Sequence, residues 1–185
     1  MDMKCTSRCE DVLKPLHTLF ETTCIEVFES LQCTIKKVDK AERILAVPCA
    51  YINAASDEIK MTLLLRGPIS ILKKTYPIQE KTETINPAEI DDWISELSNR
   101  FMGSLKNKLI PYEHRLLLET PIKQFGVNVD NFLPETYQSF VLHFEIGHEV
   151  FECSLYTHVL TDNIQFIYRE LKDISDTDDG ELEMF

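Results

Sequence analysis

Four residues near the middle of the sequence have side-chain types and a spacing suited to chemistry at a protein surface. They are Asp92, Glu96, Asn99 and Gly103. Residues three and four positions apart lie on the same face of a helix. A carboxylate and a carboxamide would then stand one turn apart, and a small residue one turn beyond would leave room for another molecule. The pattern predicts an exposed polar helix face that a partner surface can approach closely.

An ordinary structural role would also explain these residues. Glu96 and Arg100 are four residues apart, and such a surface ion pair stabilises a helix by about 0.3–0.5 kcal/mol. Asp92 fits the first turn of a helix. The Glu-x-x-Asn spacing also recurs at Glu83 and Asn86, where we interpret Asn86 as a helix cap. The bare spacing is therefore weak evidence for a site.

The helix that must carry these residues is predicted over 87–110. Asn86 is the expected N-cap, Pro87 suits the first helical position, and Pro111 ends the helix. A helix face needs apolar residues at steps of three and four, and the opposite side of this segment has them. That core-facing stripe consists of Ile90, Ile94, Leu97, Phe101 and Leu105. We expect Trp93 to be a core residue or an anchor in a dimer interface.

The rest of the chain predicts a repeated order of elements. The first half begins with a helix over 11–31, with Pro15 in its first turn. Strands over 33–38, 44–53 and 58–65 and a short helix over 67–72 follow, and a linker over 79–86 leads to the second long helix. The second half then has strands over 114–119, 139–146 and 150–159, with Gly147-His148 as a hairpin turn, and a segment over 164–171 that fits either a strand or a helix.

This order indicates an α+β fold. An antiparallel sheet would be covered by two long helices and short helices, and the two halves suggest an internal pseudo-duplication. Residues 1–10 are predicted to be an N-terminal extension. Residues 173–185 are predicted to form an acidic, disordered tail.

The extended motif resembles the active-site helix of the CheC/CheX/FliY phosphatases. In that helix Asp or Ser is followed by Glu after three residues, Asn after two more and Gly after three more. Downstream, Leu118-Glu119-Thr120-Pro121 and Gly126 resemble the strand and Thr-Pro turn that follow it. The resemblance covers residues 11–172 and implies that they form a CheX-like phosphatase domain with the CheC-like fold.

The first long helix places the resemblance within this family. CheC-type members carry a second Glu-x-x-Asn on that helix. Here it offers Glu21-x-x-Cys24, Glu26-x-x-Glu29 and Glu29-x-x-Gln32, none of which fits. A single site per chain is similar to CheX, and this likeness implies a homodimer.

The resemblance implies an enzyme that hydrolyses the aspartyl phosphate of a CheY-type response-regulator receiver. Asn99 would orient the attacking water, and Glu96 would pair with the active-site Lys of the receiver. Asp92, Glu96, Arg100 and Gly103 would form the partner-binding surface. This chain would bind no cofactor, and Mg²⁺ is expected in the receiver.

The chemistry suits these residues. An acyl phosphate already reacts with water, and phosphoryl transfer depends mainly on positioning and charge stabilisation. A carboxamide both donates and accepts hydrogen bonds without adding charge. The alternative is a non-catalytic receiver-binding or flagellar-switch-associated module on the same fold.

Composition argues against several other classes of protein. The net charge of −12 is unsuited to nonspecific nucleic-acid binding or to an anionic membrane surface. The sequence has no apolar run that could span a bilayer and starts without a signal-like apolar segment, so we expect a cytoplasmic protein. Its six cysteines are expected to be reduced thiols without a metal site, because Cys5 and Cys9 could open such a site but no second close Cys or His pair follows them.

Overall fold

The computed structural model describes residues 6–39, 47–77, 85–125, 136–161 and 164–170, with side chains from residue 12 onward. Its helices are α1 (Thr6–Ser30), α2 (Ile69–Lys74) and α3 (Pro87–Leu109), and a single 3-10 turn (Ile110–Tyr112) follows α3. Its strands are β1 (Lys36–Val38), β2 (Pro48–Ala55), β3 (Ile59–Arg66), β4 (Leu117–Leu118), β5 (Ile122–Phe125), β6 (Gln138–Ile146) and β7 (Glu149–Val159).

All seven strands form one antiparallel sheet in the order β1-β6-β7-β3-β2-β4, and β5 also pairs with β2. The central pair, β3 and β7, runs from Ile59↔Val159 to Arg66↔Glu152. Two short strands pair with the outer edge of β2: β5 pairs with the beginning of β2 and β4 with its end. The predicted α+β class with an antiparallel sheet is confirmed.

The two long helices pack on one face of this sheet. The buried Phe28 of α1 contacts the rings of Phe101 on α3, Phe144 on β6 and Phe151 on β7, with centroids 5.3–5.5 Å apart. Burying an aromatic side chain of this size contributes about 1.5–3 kcal/mol. This aromatic cluster therefore fixes the helices to the sheet and to each other.

The two halves of the predicted pseudo-duplication each place strands beside strands of the other half. The first half contributes α1 and β1–β3, and the second contributes α3 and β4–β7. The leading strands of each half pair with the other half: β1 pairs with β6, and β4 and β5 pair with β2. The two central strands, β3 and β7, come one from each half.

The long helices repeat the same pattern of burial. Residues 18–30 of α1 and 88–100 of α3 have the same sequence of buried, half-buried and exposed positions. In this alignment Glu26 corresponds to Glu96, and Glu29 corresponds to Asn99. The two helices therefore present equivalent faces with different side chains.

The first helix begins earlier than predicted. It starts at Thr6, so Pro15 lies inside the helix and not in its first turn. Proline has no N–H to donate to the preceding turn. Helix formation upstream of Pro15 was missed because proline was interpreted as a start signal.

Three other predictions on the described residues were wrong in extent or type. The strand predicted over 114–119 is reduced to β4, Leu117–Leu118. The β5 strand was not predicted. The segment 164–170 is neither strand nor helix. The predictions for Glu83, Gly126 and the acidic tail lie outside the described residues.

Two glycines are needed for the fold. A Cβ at Gly67 would collide with the Phe151 ring, so the turn after β3 lies too close to β7 for a larger residue. Gly147 has φ +70° in the predicted turn between β6 and β7, a conformation that glycine adopts without strain.

Four cysteines have described side chains, and all four are free thiols: Cys24, Cys33, Cys49 and Cys153. Burial raises the pKa of the Cys153 thiol well above its ordinary value, with the neighbouring Cys24 adding to the effect. A thiol in such a position stays protonated, so Cys153 packs as a small apolar residue.

Candidate functional site

The candidate site lies on the exposed side of α3. Glu96 and Asn99 are both exposed, and the opposite stripe, from Ile90 to Leu105, is buried at every predicted position. The helix begins with a complete capping box, in which Glu89 N–H donates to Asn86 Oδ1 (3.0 Å) and Asn86 N–H donates to Glu89 Oε2 (2.9 Å). The predicted position of both side chains is confirmed.

Asn99 presents its amide to solvent. Within the described part of the chain, no hydrogen bond engages this side chain. A free carboxamide can accept a hydrogen bond from a water molecule and donate one to a neighbouring oxygen. The group is thus available to orient a water molecule on a partner's surface.

Glu96 is paired along the helix with Arg100. Arg100 Nε donates to Glu96 Oε1 at 3.0 Å, and both side chains are nearly half exposed. The guanidinium also lies over the Trp93 ring, 5.1 Å from its centroid. Such a cation–π contact limits the freedom of Arg100. Arg100 consequently holds the Glu96 carboxylate in a defined position beside Asn99.

Trp93 connects the candidate site to the core. It is buried, and its Nε1–H donates to Thr75 Oγ1 at 2.9 Å. The ring of Tyr76 meets it edge-on, with centroids 5.7 Å apart. Trp93 is therefore a core residue, and it ties α3 to the end of α2 directly beneath Arg100.

Asp92 is paired with a residue that the sequence did not point to. Lys123 Nζ, on β5, donates to Asp92 Oδ1 at 2.6 Å. This hydrogen bond, together with the charges of Asp92 and Asp91, raises the pKa of Lys123. The two residues are 31 positions apart in the sequence, and β5 was not predicted, so no local pattern could have shown this contact.

Gly103 leaves open space at the far end of the site. A Cβ built there would have no heavy atom within 4 Å outside the neighbouring turns of the helix. The fold of this chain does not require a glycine at this position. Because Gly103 has no side chain, nothing projects from the helix at this position, and a partner can approach the backbone one turn beyond Asn99.

Two clefts in the described part of the chain lie away from these residues. One, of about 510 Å³, is lined by the turn between β2 and β3 and by residues after α3, including His114. It contains none of Asp92, Glu96 and Asn99. The candidate site is a convex helix face, a shape suited to a macromolecular partner rather than to a small ligand.

Two features are absent from the described residues. No group of three or more His, Cys, Asp or Glu side chains there is arranged to hold a metal ion. No helix in the same part of the chain has the length and apolar character to cross a membrane.

Comparisons with known proteins give structural relatives only. No protein-family model matches the sequence, and no curated protein matches it. Among solved structures, CheX from Vibrio vulnificus superposes with a TM-score of 0.64 at 11% identity, covering 78% of this chain and 99% of that one. A CheC-like superfamily protein from Shewanella sp. PV-4 gives 0.63 at 15% identity, covering 77% and 97%.

A third structure is the CheX–CheY–BeF₃–Mg²⁺ complex from Borrelia burgdorferi, with a TM-score of 0.58 at 11% identity, covering 76% of this chain and 96% of that one. The FliM middle domain from H. pylori is also similar, at 0.53 and 12% identity, covering 82% and 92%. The similarity extends over nearly the whole of each of these chains, and at these identities it concerns the fold. The chain therefore has the fold of the CheC-like and CheX chemotaxis proteins.

Proposed function

We propose that this protein is a phosphatase that hydrolyses the aspartyl phosphate of a CheY-type receiver. One observation carries the proposal: on this fold, an unengaged carboxamide, Asn99, stands exposed beside a carboxylate, Glu96, in the middle of a helix with an open surface beyond it. A neighbour with the same fold was solved together with CheY.

Asn99 has the central role in this mechanism. Its amide oxygen accepts a hydrogen bond from a water molecule and holds it in line with the phosphorus atom of the acyl phosphate. Because the amide is neutral, it approaches the anionic phosphoryl group without electrostatic repulsion. Positioning of this kind is the main contribution a protein makes to phosphoryl transfer.

Glu96 fixes the register of docking. Its carboxylate pairs with the active-site Lys of the receiver, and Arg100 presents it for this contact from one turn along the helix. Asp92, Arg100 and Gly103 complete the docking surface. Mg²⁺ belongs to the receiver, and the phosphatase chain supplies no metal ligand.

The decisive experiment compares two alanine variants in a phosphorylated-receiver decay assay. Asn99→Ala is expected to remove most of the acceleration by lowering kcat, since it deletes an interaction made chiefly in the transition state. Glu96→Ala is expected to raise KM as well, because it removes a charged docking contact. Both variants should keep the free energy of unfolding to within about 0.5 kcal/mol, because both side chains are exposed.

Ser30→Ala is the matched control, since Ser30 is exposed on α1 and belongs to no part of the proposed site. Wild-type activity in Asn99→Ala would show that the site assignment is wrong. If the wild-type protein binds a receiver but does not accelerate its dephosphorylation, the alternative function holds. The protein is then a non-catalytic receiver-binding or flagellar-switch-associated module. The structural similarity to the FliM middle domain is the observation that favours this second function.

A further inference from the structure

Both carboxylates of the proposed docking face are neutralised by cations of the same chain. Asp92 is paired with Lys123 at 2.6 Å, and Glu96 is paired with Arg100 at 3.0 Å. Asn99 adds no charge. The face formed by these five residues, which we name the docking face, therefore carries no net charge on a chain whose net charge is −12.

The two cations reach the docking face in different ways. Arg100 lies on the same helix as its carboxylate. Lys123 comes from β5, where backbone pairing with Ala50 of β2 holds it against the N-terminal part of α3. The positive charge beside Asp92 therefore comes from a strand of the sheet, whereas the positive charge beside Glu96 comes from α3 itself.

The chemistry of the partner makes this compensation relevant. A phosphorylated receiver presents an anionic phosphoryl group in an acidic pocket, and like charges brought together in an interface oppose association. Without Lys123, the carboxylate of Asp92 would face that group uncompensated. The ion pair is exposed, so its electrostatic effect must also fall as salt is added.

We propose that Lys123 is a specificity-determining residue, which neutralises Asp92 so that the docking face accepts an anionic, phosphorylated receiver. The inference rests on the proposed function. Lys123 acts through Asp92 and through the charge of the surface. It does not touch the reacting atoms, and its effect belongs to association and not to the chemical step.

The chain contains a matched control for this lysine. Lys37 lies on β1, the first-half strand that pairs with β6 of the second half. Its Nζ pairs with Glu21 of α1 at 2.6 Å. Lys37→Gln and Lys123→Gln each remove one cation from a similar strand-to-helix ion pair, and each makes the whole chain more negative by one charge. Only Lys123 lies on the docking face.

The experiment measures kcat and KM with one CheY-type receiver, phosphorylated by a small-molecule phosphodonor, at low and high ionic strength. At low ionic strength Lys123→Gln should raise KM about twofold, the factor that one unit charge produces in water at about 10 Å, the helical rise over the seven residues from Asp92 to Asn99. Its kcat should stay at the wild-type value, and the difference in KM should shrink in about 1 M salt. Lys37→Gln should keep the wild-type KM.

A second variant separates charge from structure. Asp92→Asn/Lys123→Gln restores a neutral face, so its KM should be lower than that of Lys123→Gln, whereas a purely structural role of the ion pair would leave the double variant as impaired as the single one. An unchanged KM in Lys123→Gln at low salt, or a double variant as poor as the single one, overturns the inference.

Receiver binding, followed directly by the fluorescence of Trp93, distinguishes this inference from the proposed function. Only the inference about Lys123 fails if wild type accelerates receiver dephosphorylation, Asn99→Ala does not, and Lys123→Gln binds the receiver as tightly as wild type. If wild type binds without turnover and Lys123→Gln binds more weakly, the phosphatase proposal fails and the role of Lys123 stands. An absence of binding by wild type refutes both.

Discussion

Gly103 allows the helix and the docking surface to be tested separately at a single residue. A Cβ there meets no heavy atom within 4 Å outside the neighbouring helix turns. Alanine is favoured over glycine in a helix interior by about 1 kcal/mol. Gly103→Ala should therefore raise the melting temperature and, at the same time, raise KM for a phosphorylated receiver, because a methyl group now stands where the partner approaches.

Thermal unfolding and receiver-decay kinetics on the same preparation check this prediction. Thr18→Ala is the control, since it changes an exposed position of α1 and should alter stability without altering KM. A Gly103→Ala protein that is more stable and has an unchanged KM would show that no partner surface comes close to this position.

The exposure of Glu96 and Asn99 was the part of the site that the sequence predicted well. The exposure of Glu96 and Asn99 follows from the helical period of Ile90, Ile94 and Leu97, a local pattern that tertiary contacts did not change. Lys123 was missed because its partner lies 31 residues away, and only the folded sheet brings the two together. Local periodicity carries no information about such pairs.

At the scale of elements, the capping box determines where α3 begins. Asn86 and Glu89 satisfy each other's backbone N–H groups, and Pro87 starts the helix. Asn86→Ala should lower the free energy of unfolding by about 1 kcal/mol, within a range of about 0.5–2 kcal/mol. Chemical denaturation with an unchanged slope would measure this loss.

Asn86→Asp is the matched control, because aspartate also accepts the hydrogen bond of an N-cap and should keep most of the stability. Asn99 lies more than three turns beyond the cap, so kcat should be unchanged in both variants. A wild-type unfolding free energy in Asn86→Ala would mean that the cap contributes nothing to this helix.

The elements that were mispredicted are those whose structure depends on distant partners. The four residues of β5 are all exposed, so they show no alternation, and they become a strand only through pairing with β2. The segment 164–170 has apolar residues but no regular structure. It is held by contacts to the turn after α3, such as Arg169 N–H to Pro111 O (2.8 Å) and the Phe166 ring beside His114.

At the scale of the whole molecule, we predict that two copies of the chain form a homodimer. The edge of the sheet formed by β4 and β5 exposes the apolar side chains of Leu117, Ile122 and Phe125. An edge of this kind is a surface that another chain can cover. Light scattering coupled to size exclusion should give a mass near twice the 21.5 kDa of one chain. A mass near 21.5 kDa across a concentration series would contradict the dimer.

The exchange of strands between the halves has a consequence for how the chain is made. Lys36 of β1 pairs with Glu145 of β6, and no described strand of the first half pairs with β1. A ribosome that adds about 5–20 residues per second needs on the order of ten seconds to make the chain between them. During that time β3 lacks β7 and α1 lacks most of the sheet it packs on. The β2–β3 hairpin can form from the first half alone, but β1 and β3 gain their remaining partners only when the second half has been made, so completion of the sheet has to follow synthesis.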